Sequence, residues 1–272
     1  MKLSQTEPKK GTNKMGNPAE NEKEIAVKTG ALYAYIWDQF NRIQWTQFSD
    51  DHFMKWSPLP DSNIFKEKIV LDAGCGSGRA CRSMLFQGAK KVVGIDMGKG
   101  CISNTNERNK DFSGRLEVKL ASVLDVPYPD NTFDIVHCDE VLHHTTNPKK
   151  GFSELVRVLK PGGKIIIAVY GRGGFMNFAI YSARLFRRLI PLKWTFYLCK
   201  LISKNPVVWY SILDCMYVPI RENYYEHEIR RWFEDYNFDN IIRMDSAWGP
   251  YAYGRWMKGD GYIKFIADKR SN

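Results

Sequence analysis

Between Lys68 and Tyr170, short apolar runs alternate with longer segments of helical spacing. The runs are "KIVLDAG", "KKVVGID", "RLEVKLA", "FDIVHCD" and "GKIIIAVYG"; helix-like stretches over Ser77–Gln87, Gly100–Asn109 and Lys149–Leu159 stand among them. Most of the runs are apolar along their whole length instead of alternating with polar residues. This predicts strands buried on both faces, in a parallel sheet with helices on either side. Ahead of this core, "EIAVKTGALYAYIWDQFNRIQWTQFSDDHFMKW" carries aromatic and aliphatic residues at helical spacing. It predicts one or two helices forming an N-terminal cap over 24–66. Past the fifth strand, residues 171–223 are too long and too apolar for a plain loop, which predicts a helical insertion over the carboxyl edge of the sheet. A helix in "YYEHEIRRWFEDYNF" and two strands in "DNIIRMDSA" and "GYIKFIADK" close the chain. These strands are near in sequence and favour an antiparallel pair at the sheet edge.

The fold expectation is therefore one α/β domain over 24–272, with a seven-stranded, mainly parallel sheet, helices on both faces and an antiparallel edge strand. Residues 1–23 are polar and rich in Lys, Asn, Glu and Pro, and are expected to be a disordered tail.

Composition adds less. The 272 residues are 44% hydrophobic, enough for a substantial core, and carry a formal net charge of +10. A basic surface permits nucleic acid, anionic membrane or an acidic small molecule and selects none of them. The six cysteines form no CxxC pair, which disfavours a disulfide framework or a zinc site and favours a reducing compartment. No His, Asp, Glu or Cys group has metal-ligand spacing, so no metal is expected. The start of the chain has no apolar core of signal-peptide length, and no apolar run approaches a membrane span. The expected location is cytoplasmic, or peripheral at a membrane.

The chemistry begins at "IVLDAGCGSGRA". A strand ends at Asp72, and Gly74, Gly76 and Gly78 turn the chain into a helix. Glycines permit the turn and let a ligand lie against the backbone, and the helix start offers free amide donors. A turn that only packs is the plain alternative. The dinucleotide fingerprint fails because position 79 is Arg, and no Gly-Lys-Ser/Thr phosphate loop is present. A second acid, Asp96, ends the next strand, where a carboxylate can take both hydroxyls of a ribose, or else cap the following helix.

Together these stretches resemble the class I S-adenosylmethionine-dependent methyltransferases, in the small-molecule branch called methyltransferase type 11. "VLDAGCGSG", "VVGIDMG", "LASVLDVPYPDNTFDIVHCDEVLHH" and "FSELVRVLKPGGKIIIAVY" carry the resemblance in order and at family spacing. It implies a Rossmann-like fold and S-adenosylmethionine as cofactor. It places Asp72, Ala73 and the Gly74, Gly76 and Gly78 backbone at the methionine end. Asp96 would hold the ribose, Met97 would lie against the adenine, and Ser122 and Val123 would occupy the adenine contact. Ser122 stands where family members commonly have Asp. Cys138 and Asp139 would sit beside the methyl group.

Methyl transfer from a sulfonium needs a positioned acceptor and, for a hydroxyl, a base. Asp139, Glu140, His143 and His144 are the candidates for base or acceptor-orienting group; packing roles are the alternative for both histidines, and a cap or salt bridge for Glu140. Trp45, Tyr170, Tyr224 and Tyr225 are candidates for the acceptor pocket. From Gly171 to Leu213 there are seven Lys/Arg and no Asp or Glu. Phe178, Tyr181, Leu185, Leu189 and Leu192 can share one helical face, with Arg184, Arg187 and Arg188 opposite. This basic amphipathic segment is read as a lid, a packing cap, or a contact with an anionic membrane. The expected activity is methyl transfer to oxygen or nitrogen of a small-molecule or lipid-like acceptor. An RNA methyltransferase and a non-catalytic cofactor-binding scaffold remain as alternatives, with nucleic acid disfavoured by "CDEV" in place of an Asp/Asn-Pro-Pro motif.

Overall fold

The computed structural model describes residues 18–50, 59, 61, 63–187, 189–244 and 259–271. Residues 1–17 of the expected tail and Arg188 lie outside the described residues. Helix α1 (Pro18–Asp38) begins inside the segment expected to be tail, so the helical cap starts earlier than the polar composition suggests. With α2 (Arg42–Asp50) it precedes the core.

The core follows the predicted alternation. Strands β1 (Ile69–Ala73), β2 (Lys91–Asp96), β3 (Leu116–Leu120), β4 (Phe133–Asp139) and β5 (Leu159–Tyr170) are separated by α3 (Arg79–Phe86), α4 (Lys99–Arg108) and α5 (Pro148–Val158). The insertion forms α6 (Gly174–Phe186), α7 (Leu192–Ile202) and α8 (Pro206–Tyr217). Helix α9 (Glu226–Asp235) leads to β6 (Phe238–Met244) and β7 (Tyr262–Lys269). The seven strands run in the order β3-β2-β1-β4-β5-β7-β6. The first five are parallel; β7 is antiparallel to both β5 and β6, so the reversed strand lies between them and β6 forms the margin.

Local signals set the boundaries. Asn147 caps α5 by accepting from the Lys150 amide at 3.1 Å, and Pro148 takes the first helical position, where no amide is needed. Gly78, at φ +79°, is the residue that turns β1 into α3.

Three apolar clusters hold the layers together. Leu71, Ala73, Val136, Cys138, Ile167 and Phe265 meet Phe152 and Leu155 of α5 and Trp232 and Phe233 of α9 on one sheet face. Val70, Val92, Ile135 and Ile166 meet Met84 and Leu85 of α3 on the other. The third cluster joins the cap to the insertion: Ile36 and Trp37 of α1 pack with Phe196, Trp209 and Leu213 of α7 and α8. Each such buried side chain contributes on the order of 1.5–3 kcal/mol. The cap and the insertion are thus one roof over the carboxyl ends of β1, β4 and β5.

The face assignment of α6 needs correction. Arg184 and Arg187 are not turned to solvent opposite a packed apolar face. They donate to the carbonyls of Cys215, Met216 and Val218, closing the C-terminal end of α8. Carbonyls at a helix end lack intrahelical partners and carry negative partial charge, so guanidinium groups settle there. Phe178, Leu185 and Leu189 are left on the outside.

Candidate active site

A cavity of about 500 Å³ opens at the carboxyl ends of the central strands, under the roof. Its floor is the glycine loop. Gly74, Gly76 and Gly78 all have positive φ, a region that side chains disfavour. A Cβ on Gly74 would stand 2.1 Å from Val141 Cγ2, and one on Gly78 would stand 2.5 Å from Asn109 Nδ2. Those two glycines serve packing as well as the turn. Among the described residues a Cβ on Gly76 meets only Trp37, at 3.3 Å, and Gly76 and Trp37 both line the cavity.

The loop is held from three sides. The Gly76 amide donates to Asp96 Oδ2 at 2.9 Å, Thr105 Oγ1 donates to the Gly76 carbonyl at 2.9 Å, and Trp45 Nε1 donates to Ser77 Oγ at 2.9 Å. Asp96 accepts a second amide, that of Gly98, on Oδ1 at 2.7 Å. Burial raises the pKa of this carboxyl, and the two amides pull against that rise. Each oxygen accepts one backbone amide, Cys101 adds a side-chain hydrogen bond, and the lone pairs that remain suit vicinal hydroxyl donors. Beside it Met97, Ala121, Val123 and Leu124 line an apolar slot. Ser122 also lines the cavity, with its oxygen accepting from the Leu124 amide at 3.1 Å. A bare-backbone cradle, a carboxylate and an apolar slot in this order suit an aminoacyl-sulfonium nucleoside.

Below the cavity runs a row of charged groups that strand register creates. Asp72 on β1 lies opposite His137 on β4, and Asp139, two residues on, shares that face. His137 Nδ1 is 2.8 Å from Asp72 Oδ1, and its Nε2 is 3.7 Å from Asp139 Oδ2. Asp139 pairs with Ala168, which pairs with Lys264, so a small residue lets the Lys264 ammonium come within 3.7 Å of Asp139. The Tyr262 hydroxyl donates to Asp139, and Cys81 donates to Asp72 at 3.1 Å. Burial pushes the His137 pKa down, but Asp139 and Asp72 outweigh it and the net shift is upward. Lys264 is shifted downward, chiefly by burial.

The roof side of the cavity is aromatic, and its Trp37 stands beside the glycine loop. Tyr33 and Trp37 of α1, Phe48 of α2, and Tyr170 at the end of β5 line that side. The Arg79 guanidinium lies 4.5 Å from the Trp37 ring centre and 4.1 Å from that of Phe48. Behind this wall Asp214 of α8, fully buried, accepts from the hydroxyls of Tyr33 and Tyr170 and lies 3.5 Å from His144 Nε2. One carboxylate thereby ties the cap, the insertion and the sheet together. Arg221 spans the same region, 4.8 Å from the Tyr170 ring centre and bonded to Asn177 and Asn223.

Glu140, at φ +61°, follows Asp139 in the cavity wall and accepts from the Tyr210 hydroxyl at 2.9 Å. Its pKa is pushed up to about 8 by burial first and then by the charges of Asp139 and Asp214, with Arg79 opposing. A carboxyl raised in the folded state stabilises the fold fully below its unfolded pKa, near 4.5, and loses that contribution as pH climbs through about 8. Glu140→Gln should flatten this dependence. Thermal melts between pH 5 and 9 should show the wild type losing melting temperature relative to the variant on the alkaline side; parallel curves would refute the assignment.

The predicted residues divide accordingly. Asp72, Gly74, Gly76, Asp96, Met97, Ser122, Val123, Asp139, His144 and Tyr170 line the cavity. Ala73 and Cys138 do not: as neighbours of Asp72 and His137 they point to the opposite sheet face, into the cluster under α5. Gly78 stands behind the loop, against Thr105 and Asn109. His143 is fully buried away from the cavity wall, its ring 4.0 Å from that of Tyr170. Trp45 is also buried and supports the loop from behind instead of walling an acceptor pocket. Tyr224 packs edge-on against Trp232, and Tyr225 caps α9 at the surface, so neither reaches the cavity.

Sequence reasoning missed Tyr33, Arg79, Asp214 and Arg221 as site residues. For Asp214 a signal existed: it is the first acid after fifty-nine residues without one, inside the apolar run "WYSILDCMY". A lone acid in such a run has to find donors when the helix packs.

The family described as "Methyltransferase domain" matches residues 71–167, the stretch from the glycine loop to β5. The chain is 36% identical over 127 residues to phosphoethanolamine N-methyltransferase 1 of Arabidopsis thaliana, covering 44% of this chain and 26% of that one. It is 33% identical over 135 residues to a ubiquinone biosynthesis O-methyltransferase of Aliivibrio fischeri, covering 49% and 57%. The chain thus spans about a quarter and somewhat over half of the lengths of these two relatives. A crystal structure of a SAM-dependent methyltransferase from Aquifex aeolicus superposes with a TM-score of 0.51 at 18% identity, covering 85% of this chain and 99% of that one, and shares its fold. With the motif series, the strand order and the matched domain in agreement, residues 71–167 carry a methyltransferase domain, and the chain is similar to the class I S-adenosylmethionine-dependent methyltransferases of the type 11 family, whose cofactor is S-adenosylmethionine.

Proposed function

We propose that the protein transfers a methyl group from S-adenosylmethionine to an oxygen or nitrogen of a small-molecule or lipid-like metabolite. The observation that carries this reading is the single cavity joining the glycine loop and Asp96 to an aromatic end roofed by the cap and insertion. The relatives named above act on phosphoethanolamine and in ubiquinone biosynthesis, which agrees with a small-molecule acceptor. The reading includes peripheral contact with an anionic membrane through the insertion.

When bound, the cofactor supplies an electrophilic methyl group together with its leaving group. The loop backbone from Gly74 to Ser77 would hold its amino-acid end, Asp96 its ribose, and the slot of Met97, Val123 and Leu124 its base. Trp37 and Phe48 cover the loop end, while Tyr33 and Tyr170 exclude water from the acceptor end and orient a flat or extended acceptor.

Proton handling falls to His144. Its Nδ1–H donates to the Ile220 carbonyl at 2.8 Å, which fixes the tautomer and leaves Nε2 as the lone-pair nitrogen. Burial lowers the pKa, so the ring is neutral near pH 7. Nε2 is buried and faces Asp214 at 3.5 Å, so the acceptor's proton would reach it through an intervening hydroxyl or water, and Asp214 would stabilise the imidazolium formed. Asp139, already engaged with Tyr262, His137 and Lys264, orients its surroundings instead of accepting the proton.

The test is incubation with isotope-labelled cofactor and a fractionated cell extract, followed by mass analysis of what gains a methyl group. One organic-extractable product is expected, and His144→Gln should lower kcat about 10²- to 10⁴-fold at unchanged cofactor affinity. Nuclease-sensitive label, or binding of cofactor with no transfer to any fraction, would refute the reading.

A further inference from the structure

Helices α6 and α7 turn their apolar faces outward. Phe178, Leu185, Leu189, Trp194, Leu201 and Ile202 are each 65% exposed or more. Isolated exposed apolar residues are ordinary, but these belong to two consecutive helices of one insertion and the turn that joins them. The polar face of α6 cannot turn outward in exchange, because Arg184 and Arg187 are committed to the α8 carbonyls.

We infer that this face of α6 and α7 docks on an anionic lipid bilayer, and that the acceptor enters the cavity from that side. This deepens the proposed function and rests on it for the nature of the acceptor.

Charge selects the occupant. The segment from Gly171 to Leu213 contains no Asp or Glu, while Arg172, Lys193 and Lys204 are exposed. Among the described residues no helix is long and apolar enough to cross a membrane, so the surface would lie on a bilayer and not span it. Outward Phe, Leu and Trp side chains with basic residues beside them and no acids make up the composition of an interfacial helix: rings and aliphatic chains enter the headgroup boundary while ammonium groups meet lipid phosphates. A second copy of the chain would bring an equally basic surface against this one and offer the lysines no partners.

Continuity links the face to chemistry. Met176 and Ile180 of α6 line the cavity, while Phe175 and Phe178, their neighbours in sequence, are exposed. One short helix thus borders both the bilayer-facing surface and the acceptor end. Asn177, between them, donates to the Gly171 and Gly173 carbonyls and holds the start of α6 to the end of β5.

The experiment is flotation of the full chain, without cofactor, on vesicles of phosphatidylcholine alone and of phosphatidylcholine with phosphatidylglycerol. Binding to the anionic vesicles is expected, with weakening by salt and a blue shift of tryptophan emission that Trp194→Phe removes. Phe178→Ser/Leu185→Ser should lower partitioning about tenfold or more, with adenosylhomocysteine affinity by calorimetry unchanged. Absence of binding to both vesicle types overturns the inference, as does binding that is indifferent to lipid charge and to the double variant. A dimer in sedimentation that the double variant dissociates, without vesicle binding, overturns it in favour of self-association. Because vesicle binding is read without cofactor, a chain that floats yet fails to bind adenosylhomocysteine keeps this surface and refutes the enzymatic reading alone.

Discussion

Gly76→Val abolishes cofactor binding while the chain stays folded: that is the expected result, and the loop geometry gives its reason. A β-branched side chain at φ +56° is strained by on the order of 1–3 kcal/mol. The typical stability of a domain, about 5–15 kcal/mol, absorbs that. Among the described residues the first atom of the new side chain meets only Trp37, its Nε1 at 3.3 Å, so the branched methyls would take up cavity space where the cofactor's amino-acid end is placed. The neighbouring glycines would make poorer tests. A side chain at Gly74 would strike Val141 and one at Gly78 would strike Thr105 and Asn109, so both would disturb packing. Calorimetry with adenosylhomocysteine should show affinity for the variant reduced by at least about 100-fold, two factors of ten at 1.4 kcal/mol each. Circular dichroism and a cooperative melt should show the fold retained. Unchanged affinity in a folded variant would remove the glycine loop from the site.

Removal of the Asp96 carboxylate is the second large effect. Two charge-assisted hydrogen bonds to a ribose diol, at about 1.5–3 kcal/mol each, amount to roughly 10²- to 10⁴-fold in affinity. Asp96→Ala also frees the Gly76 and Gly98 amides, so part of any loss belongs to the loop. A cofactor product lacking both ribose hydroxyls separates the two contributions. Wild type should bind adenosylhomocysteine far more tightly than this analogue, whereas the variant should bind the two nearly alike. If the variant discriminates between them as strongly as wild type does, the ribose is held elsewhere and Asp96 only shapes the loop.

Both predictions use residues that the sequence already marked. The glycines and Asp96 were legible because local chain geometry places them: a strand ends, the backbone must turn, and the next acid sits at the end of the adjacent strand. The same reasoning misplaced Trp45, Tyr224 and Tyr225. Each is an aromatic near a chain segment that does form the roof, but composition does not say which way a ring points. Trp45 turned toward Ser77, and Tyr224 toward Trp232. Helix α6 shows the point most directly. Its apolar and basic faces were readable from spacing, yet the burial of the arginines against α8 depends on unpaired carbonyls more than twenty residues away in the chain.

By itself the sequence determined the strand order's raw material, the glycine loop, the acid at the end of β2 and the family resemblance, because these rest on periodicity and on residues adjacent along the chain. Only the tertiary structure decided that Asp72, His137, Asp139 and Lys264 form one row, that Asp214 draws Tyr33, Tyr170 and His144 together, and that the insertion shows its apolar side to solvent. Those arrangements come from strand register and from polar groups seeking partners across long separations, where the cost of a buried unpaired charge, and not local propensity, selects the neighbour.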